Sequence, residues 1–256
     1  MPNKNLLIFT LFFSLGAKAL QQADVPLEKV NYGPEICATG TTVSGIDVSK
    51  YQPNINWATV RSAGRNFVFV KASEGNTLAD ANYAANIAGL SASKMTHGSY
   101  HYFTASDDPV KQADFFLSVT GKIAPEDLPP LLDWEDSNKI APEIVIQRAR
   151  AFLDRVESIT GKIPIIYTYP EYWATLSKTP ANLKNIAQFA RYPLFIADQS
   201  GDCPRVPVPW THWMFWQTES NQEPGVVGKV DEDVFNGDLR TLKKLLEIPV
   251  STDASL

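Results

Sequence analysis

Short apolar runs rich in β-branched and aromatic residues alternate along this chain with segments of helical period. The runs predict strands at Val43 to Asp47, Phe67 to Lys71, Gly98 to Phe103, Leu131 to Glu135, Ile163 to Thr168, Leu194 to Ala197, His212 to Gln217 and Val226 to Asp231. Between the earlier runs the period becomes helical. One helix is expected to open at Pro109 beneath an Asp108 cap, and a longer one to run from Pro142 to a stop at Gly161. Val145, Ala149, Phe152, Val156 and Ile159 share a face of the longer helix. After the sixth run the alternation breaks. The connection from Asp198 to Thr211 carries Pro204, Pro207 and Pro209, and that from Thr218 to Gly225 is too short for a covering helix. Strand and helix in alternation imply a parallel sheet, and eight strands in 256 residues fit one barrel of the usual ~250-residue size. The expected fold is therefore α/β: a modified TIM-like barrel, five β/α units followed by three β-strands, in a single domain.

The barrel is expected to occupy residues 42–248, after a polar lead-in at 20–41 and before a tail at 249–256. Residues 1–19 differ in kind. A charged start with Lys4, an apolar run from Leu6 to Gly16 and the small-x-small end Ala17-Lys18-Ala19 have the form of a cleaved signal peptide. That run is shorter than the roughly 20 apolar residues needed to span a bilayer, and no later segment reaches that length. The chain is therefore expected to be secreted or periplasmic, with no stable membrane insertion, and to act as a monomer. With 23 basic against 28 acidic residues it carries a net charge of -5, which argues against nucleic acid as a partner. Cys37 and Cys203 would meet an oxidising compartment after export and are expected to form a disulfide.

Barrel enzymes place their chemistry at the C-terminal ends of the strands, and here those ends are polar. They offer Asp47, Lys71 with Glu74 beyond it, Tyr100 and Tyr102, Asp133 and Glu135, Tyr167, Gln217, and Asp231 with Asp233. In Leu131-Leu132-Asp133-Trp134-Glu135 the strand period of two puts both carboxylates on one face. Crowded like charges do not ionise together cheaply, so one is expected to keep its proton near neutral pH while the other stays anionic. A glycosidic bond requires that division: an acid protonates the leaving oxygen, and an anion steadies or directs attack on the anomeric carbon. Asp47 and Asp231 at other strand ends add to the cluster. Tyr100, Tyr102, Tyr167 and Trp216 are candidate stacking surfaces for sugar rings, and Gln217 and Asp233 candidate partners for hydroxyls. Trp57, Trp173, Trp210 and Trp213 are expected in the core.

Other chemistries lack their signatures. His97, His101 and His212 have no metal-site spacing, so no metal is expected. The chain has no G-x-S-x-G, no G-x-G-x-x-G and no phosphate loop. No cofactor is expected.

Taken in order, these stretches resemble the family 25 glycoside hydrolases, the Chalaropsis-type lysozymes. The resemblance is carried by Gly45-Ile46-Asp47-Val48-Ser49 with Gln52, Phe69-Val70-Lys71-Ala72-Ser73-Glu74-Gly75 and Gly98-Ser99-Tyr100-His101-Tyr102-Phe103. It continues through Leu132-Asp133-Trp134-Glu135, Ile166-Tyr167-Thr168, Trp216-Gln217 and Val230-Asp231-Glu232-Asp233-Val234-Phe235. It implies hydrolysis of the β-1,4 bond between N-acetylmuramic acid and N-acetylglucosamine, with peptidoglycan strands as partner. Glu135 then corresponds to the general acid/base. Asp133 corresponds to a group that either attacks the sugar or orients its 2-acetamido group, with Asp47 and Asp231 completing an acidic floor. Two departures concern substrate contacts: Asp198-Gln199 follows the sixth strand where a tyrosine is common, and Asp233 stands where Asn is frequent. Two other readings share the groove, a non-catalytic wall-binding module and a glycosidase for chitin-like polymers. Turnover separates the first, and digestion of chitin against peptidoglycan the second.

Overall fold

A computed structural model describes residues 32–246. The signal peptide expected at 1–19 and the tail at 249–256 lie outside the described residues, as do the first part of the lead-in and the last residues assigned to the barrel.

Nine strands form one sheet: β1 (Val43–Val48), β2 (Phe67–Glu74), β3 (Leu78–Ala79), β4 (Thr96–Tyr102), β5 (Leu131–Asp133), β6 (Ile165–Thr168), β7 (Leu194–Ala197), β8 (Phe215–Gln222) and β9 (Lys229–Phe235). The order β1-β9-β8-β7-β6-β5-β4-β2 closes through a β1–β2 pairing into an eight-stranded barrel, with the two-residue β3 folded back on the end of β2. Helices α1 (Trp57–Ser62), α2 (Tyr83–Ala92), α3 (Pro109–Thr120) and α4 (Pro142–Thr160) fill successive crossovers, and α5 (Pro170–Leu176) with α6 (Pro180–Ile186) fills the fifth. The expected five β/α units and three further strands are thus present.

Two details depart from the sequence reading. The last strand begins at Lys229 rather than Val226 and runs antiparallel to both β1 and β8. The short loop before it returns the chain as a hairpin, which reverses direction, so the sheet is not wholly parallel. The strand before it starts at Phe215 rather than His212 and extends to Gln222.

Local chemistry sets the helices as expected. Asp108 accepts from the amides of Val110 and Lys111 at the start of α3, and α4 ends at Gly161, whose φ of 68° is the left-handed conformation glycine adopts readily. Val145, Ala149, Phe152 and Val156 are buried along α4, but Ile159 is 57% exposed: the helical spacing persists into a last turn that nothing covers. Trp57, Trp173, Trp210 and Trp213 are all buried.

The two faces of each strand feed two separate cores. Outward-facing Ile46, Val68, Val70, Leu132 and Trp134 pack beneath the helices. Inward-facing Phe67, Phe69, Phe195, Phe215 and Phe235 fill the barrel, with ring centroids 5.2 Å apart for Phe67–Phe215, Phe69–Phe215 and Phe215–Phe235. Gly45 admits this plug, because a Cβ there would collide with the Phe67 ring. The barrel therefore has a solid aromatic floor. Cys37 and Cys203 are bridged, with Cα atoms 4.8 Å apart, which ties the segment before β1 to the loop after β7. Closing a loop of that length contributes up to about 5 kcal/mol in the chain-entropy picture.

Candidate active site

Above the phenylalanine plug, at the end of the barrel where the seven mutually parallel strands β1, β2 and β4 to β8 finish, lies a cavity of about 140 Å³. Asp47, Asp133, Glu135 and Asp231 line it, together with Tyr100, Tyr167 and Gln217; Phe69, Leu131 and Phe195 form its base. These seven polar side chains, each expected from the sequence, come from six strands and one strand exit. The apolar base was not anticipated as part of the site. The period of two carries the signal for it, since Phe69 shares a face with Lys71, and Leu131 with Asp133.

Register explains the convergence. Asp47 stands directly opposite Asp231 across the β1–β9 pair, and Asp133 lies between Tyr102 on β4 and Tyr167 on β6. The segment after β5 is pinned by backbone bonds: Phe103 donates to the Asp133 carbonyl and Trp134 to that of Tyr167, each at 2.9 Å. With Trp134 driven outward into the core, Asp133 and Glu135 turn inward on either side of it. A hydrogen-bonded chain crosses the cup, in which the Tyr167 hydroxyl donates to Gln217 Oε1 at 3.0 Å and Gln217 Nε2 donates to Asp47 Oδ2 at 2.7 Å.

Three expected contacts are placed elsewhere. Trp216 faces away from the cup: its Nε1 donates to the Asp198 carbonyl at 2.7 Å and its ring meets Trp213. Neighbours on a strand point to opposite faces, so inward Gln217 and Phe215 require an outward Trp216. Tyr102 sits at the rim with the Lys71 ammonium 4.8 Å from its ring centroid, and does not line the cavity. Asp233 is fully buried below the cup, opposite Gly45 and Gln217, and neither of its carboxyl oxygens has a hydrogen-bond partner. A carboxyl sealed there is out of reach of a hydroxyl on a bound sugar. His101 is structural, held between Ser73 and Gln112 and stacked on Phe152; burial lowers its pKa to about 3, so it is neutral. Among the described residues, no group of three or more His, Cys, Asp or Glu side chains is arranged to hold a metal ion.

The electrostatics differ from a simple division into one acid and one anion, because all the carboxyls of the cup are pushed up. Burial, then Asp231, raises Asp47 to about 8, against the hydrogen bond from Gln217. Burial and the neighbouring Glu135 hold Asp133 well above the carboxylate range, with Lys71 opposing. Burial also raises Glu135, and Lys71 again pulls the other way. Asp231 is raised by burial, and Asp233 well raised by burial and by Asp47 and Asp231. Dehydration is the largest cause at every position, so burial favours the protonated forms throughout the ligand-free cup.

This has a consequence for stability. A carboxyl whose pKa is higher folded than unfolded contributes fully below the ordinary carboxylate range, and the contribution is lost as pH rises toward the folded value. Asp233→Asn removes such a group. The variant's thermal midpoint relative to wild type is expected to rise steadily as pH climbs above the ordinary carboxylate range of about 4. Calorimetry across that climb checks it; parallel curves for the two proteins would contradict the assignment.

Comparison with known proteins places this geometry in a family. The model for "Glycosyl hydrolases family 25" matches residues 46–226, a span that includes Asp47, Asp133 and Glu135. The chain belongs to glycosyl hydrolase family 25. It is 28% identical over 218 residues to an N,O-diacetylmuramidase from Arthroderma benhamiae, covering 82% of this chain and 89% of the relative. It is also 28% identical over 254 residues to Lysozyme M1 of Streptomyces globisporus, covering 95% and 84% respectively. Its fold matches the crystal structure of the bacterial lysozyme from Streptomyces coelicolor with a TM-score of 0.74 at 30% identity, covering 81% of this chain and 98% of that one. The family 25 member thus carries its acids at the mouth of a closed barrel, as a glycoside hydrolase of this architecture requires.

Proposed function

We propose that this family 25 hydrolase is a lysozyme that cleaves the β-1,4 bond between N-acetylmuramic acid and N-acetylglucosamine in peptidoglycan. One observation carries the reading: four carboxyls from three separate parts of the chain line one small cavity with an apolar base. Glu135 is the general acid/base. Burial favours its protonated form, and it remains partly exposed at the cup's edge, where a leaving oxygen would sit. Asp133 orients the substrate's 2-acetamido group. Its burial and its proximity to Glu135 favour the neutral form in the free cup, which blunts it as a nucleophile; once ionised it accepts from the acetamido N–H and turns the amide oxygen toward the anomeric carbon. In the first step the acetamido oxygen attacks the anomeric carbon while Glu135 gives its proton to the departing sugar oxygen. In the second, Glu135 takes a proton from water, which opens the cyclic intermediate. Asp47, fixed by Gln217, and Asp231 face the ring, and the positive charge that develops on it favours their anionic forms against the burial that protonates them in the free cup.

Export through a leader at residues 1–19 fits this substrate, and the Cys37–Cys203 bridge suits an oxidising compartment. Release of reducing ends from purified peptidoglycan, with chitin as comparison, tests the assignment. Preferential release from peptidoglycan with retained anomeric configuration is expected. Binding without product would favour a wall-binding module, chitin cleavage a different glycan, and an inverted product would exclude acetamido participation.

A further inference from the structure

Lys71 belongs to no pair expected of the reaction, yet the fold brings it to the edge of the cup. In β2, Phe67 and Phe69 face the barrel interior and Val68 and Val70 the helices, so Lys71 continues the interior face. Strict alternation would then put Glu74, three residues on, on the opposite side. Instead the register of β2 against β4 slips between Lys71 and Ser73, and both Ala72 and Ser73 are buried outside, with Ser73 bonded to His101. This bulge resets the parity and lets Glu74 return to the side of Lys71. The result is a fixed cation. Its Nζ lies 2.8 Å from Glu74 Oε2 and 4.8 Å from the Tyr102 ring centroid, and Tyr102 is the register partner of Asp133.

We propose that Lys71 is a positioning residue of the acidic cup: its ammonium, anchored by Glu74 and seated over Tyr102, sets how many protons the Asp133–Glu135 pair holds. The proposal rests on Asp133 and Glu135 being the reacting pair. The groups facing that pair are otherwise neutral or acidic. They are Asp47 on β1, Glu74 beyond the bulge, Tyr100 and Tyr102 on β4, Asp136 after β5, Tyr167 on β6 and Asp231 on β9. His101 lies on the far side of β4 and is neutral. Arg65, the cation that acts on Asp233, is engaged by Glu223 and Glu232. Lys71 is thus the counterweight to crowded acids: it favours the anionic forms of both Asp133 and Glu135. Without it the pair would hold its protons to higher pH.

The test compares Lys71→Met, Lys71→Arg and Glu74→Gln with wild type in two ways: the pH profile of peptidoglycan cleavage, and carbon-13 titration of the carboxyls in the unliganded protein. In Lys71→Met both limbs of the profile and both titration midpoints are expected to move to higher pH by about one unit. Lys71→Arg restores them, and Glu74→Gln, which removes an anion near Asp133, moves the acidic limb to lower pH. A purely structural Lys71 would lower activity equally at every pH and leave the midpoints still. Unmoved midpoints in folded Lys71→Met, or shifts of the same sign in Lys71→Met and Glu74→Gln, would overturn the proposal. An inactive wild type would instead defeat the lysozyme reading, and the titration would still judge Lys71. Should Lys71→Met not fold, Glu74→Gln and Lys71→Gln supply the same comparison.

Discussion

Glu135→Gln is expected to lower peptidoglycan cleavage by about a hundredfold to ten-thousandfold while leaving the fold unchanged. The amide has nearly the shape of the acid but no proton to deliver, so the leaving oxygen must depart as an alkoxide. Stability should not fall. Glu135 is partly exposed and its side chain anchors no other group, whereas its backbone carbonyl, which faces the Tyr169 hydroxyl at 3.5 Å, is untouched by the substitution. Removing one acid from a crowded cluster also relieves Asp133, whose pKa Glu135 raises. Steady-state rates on purified cell walls, alongside thermal unfolding, check both halves. Wild-type turnover in the variant would remove Glu135 from the mechanism.

The second large effect belongs to a residue that never touches the cup. Trp134 is fully buried between Asp133 and Glu135 in sequence, and its ring meets Trp173 at 5.2 Å, Phe189 at 5.4 Å and Phe103 at 6.4 Å. It is the outward peg that holds two inward acids. Trp134→Ala is expected to cost about 3–5 kcal/mol, through lost burial and the cavity left behind. Against a typical total of about 5–15 kcal/mol that loss is severe. Folded variant should also be slow, by up to about a hundredfold, because neither carboxyl would be held at its reacting position. Denaturant unfolding and rates normalised to folded protein separate the two effects, and Trp134→Phe should lose less of both. A variant that is destabilised but fully active per folded molecule would show that the acids are positioned by something else.

Much of this was legible because strand parity is a local rule. Alternation along Leu131 to Glu135 was enough to pair the two acids, and the same rule puts Trp134 on the opposite face, where the structure buries it. Applied to β8, it also requires Trp216 to point away if Gln217 points in, so the two do not share the cup. Asp231 reached the cup by a different route from the one the sequence suggested. It was expected at the finish of a parallel strand, but β9 runs the other way and Asp231 lies near its start, where an antiparallel strand meets the same mouth. Chain direction depends on the hairpin closing the barrel, which no local period encodes. Lys71 and Glu74 are both visible at one strand end, but that they share a side was hidden for a similar reason, since a bulge alters parity without leaving a clear mark in composition. Asp233 was visible as an acid, but its depth follows from its register with Gly45, a long-range pairing.

The most direct test of the central claim is mass spectrometry of the fragments that the purified protein releases from peptidoglycan. Disaccharide fragments ending in reducing N-acetylmuramic acid, absent when Glu135→Gln replaces wild type, are the predicted result. Intact glycan strands, or fragments ending in reducing N-acetylglucosamine, would contradict it.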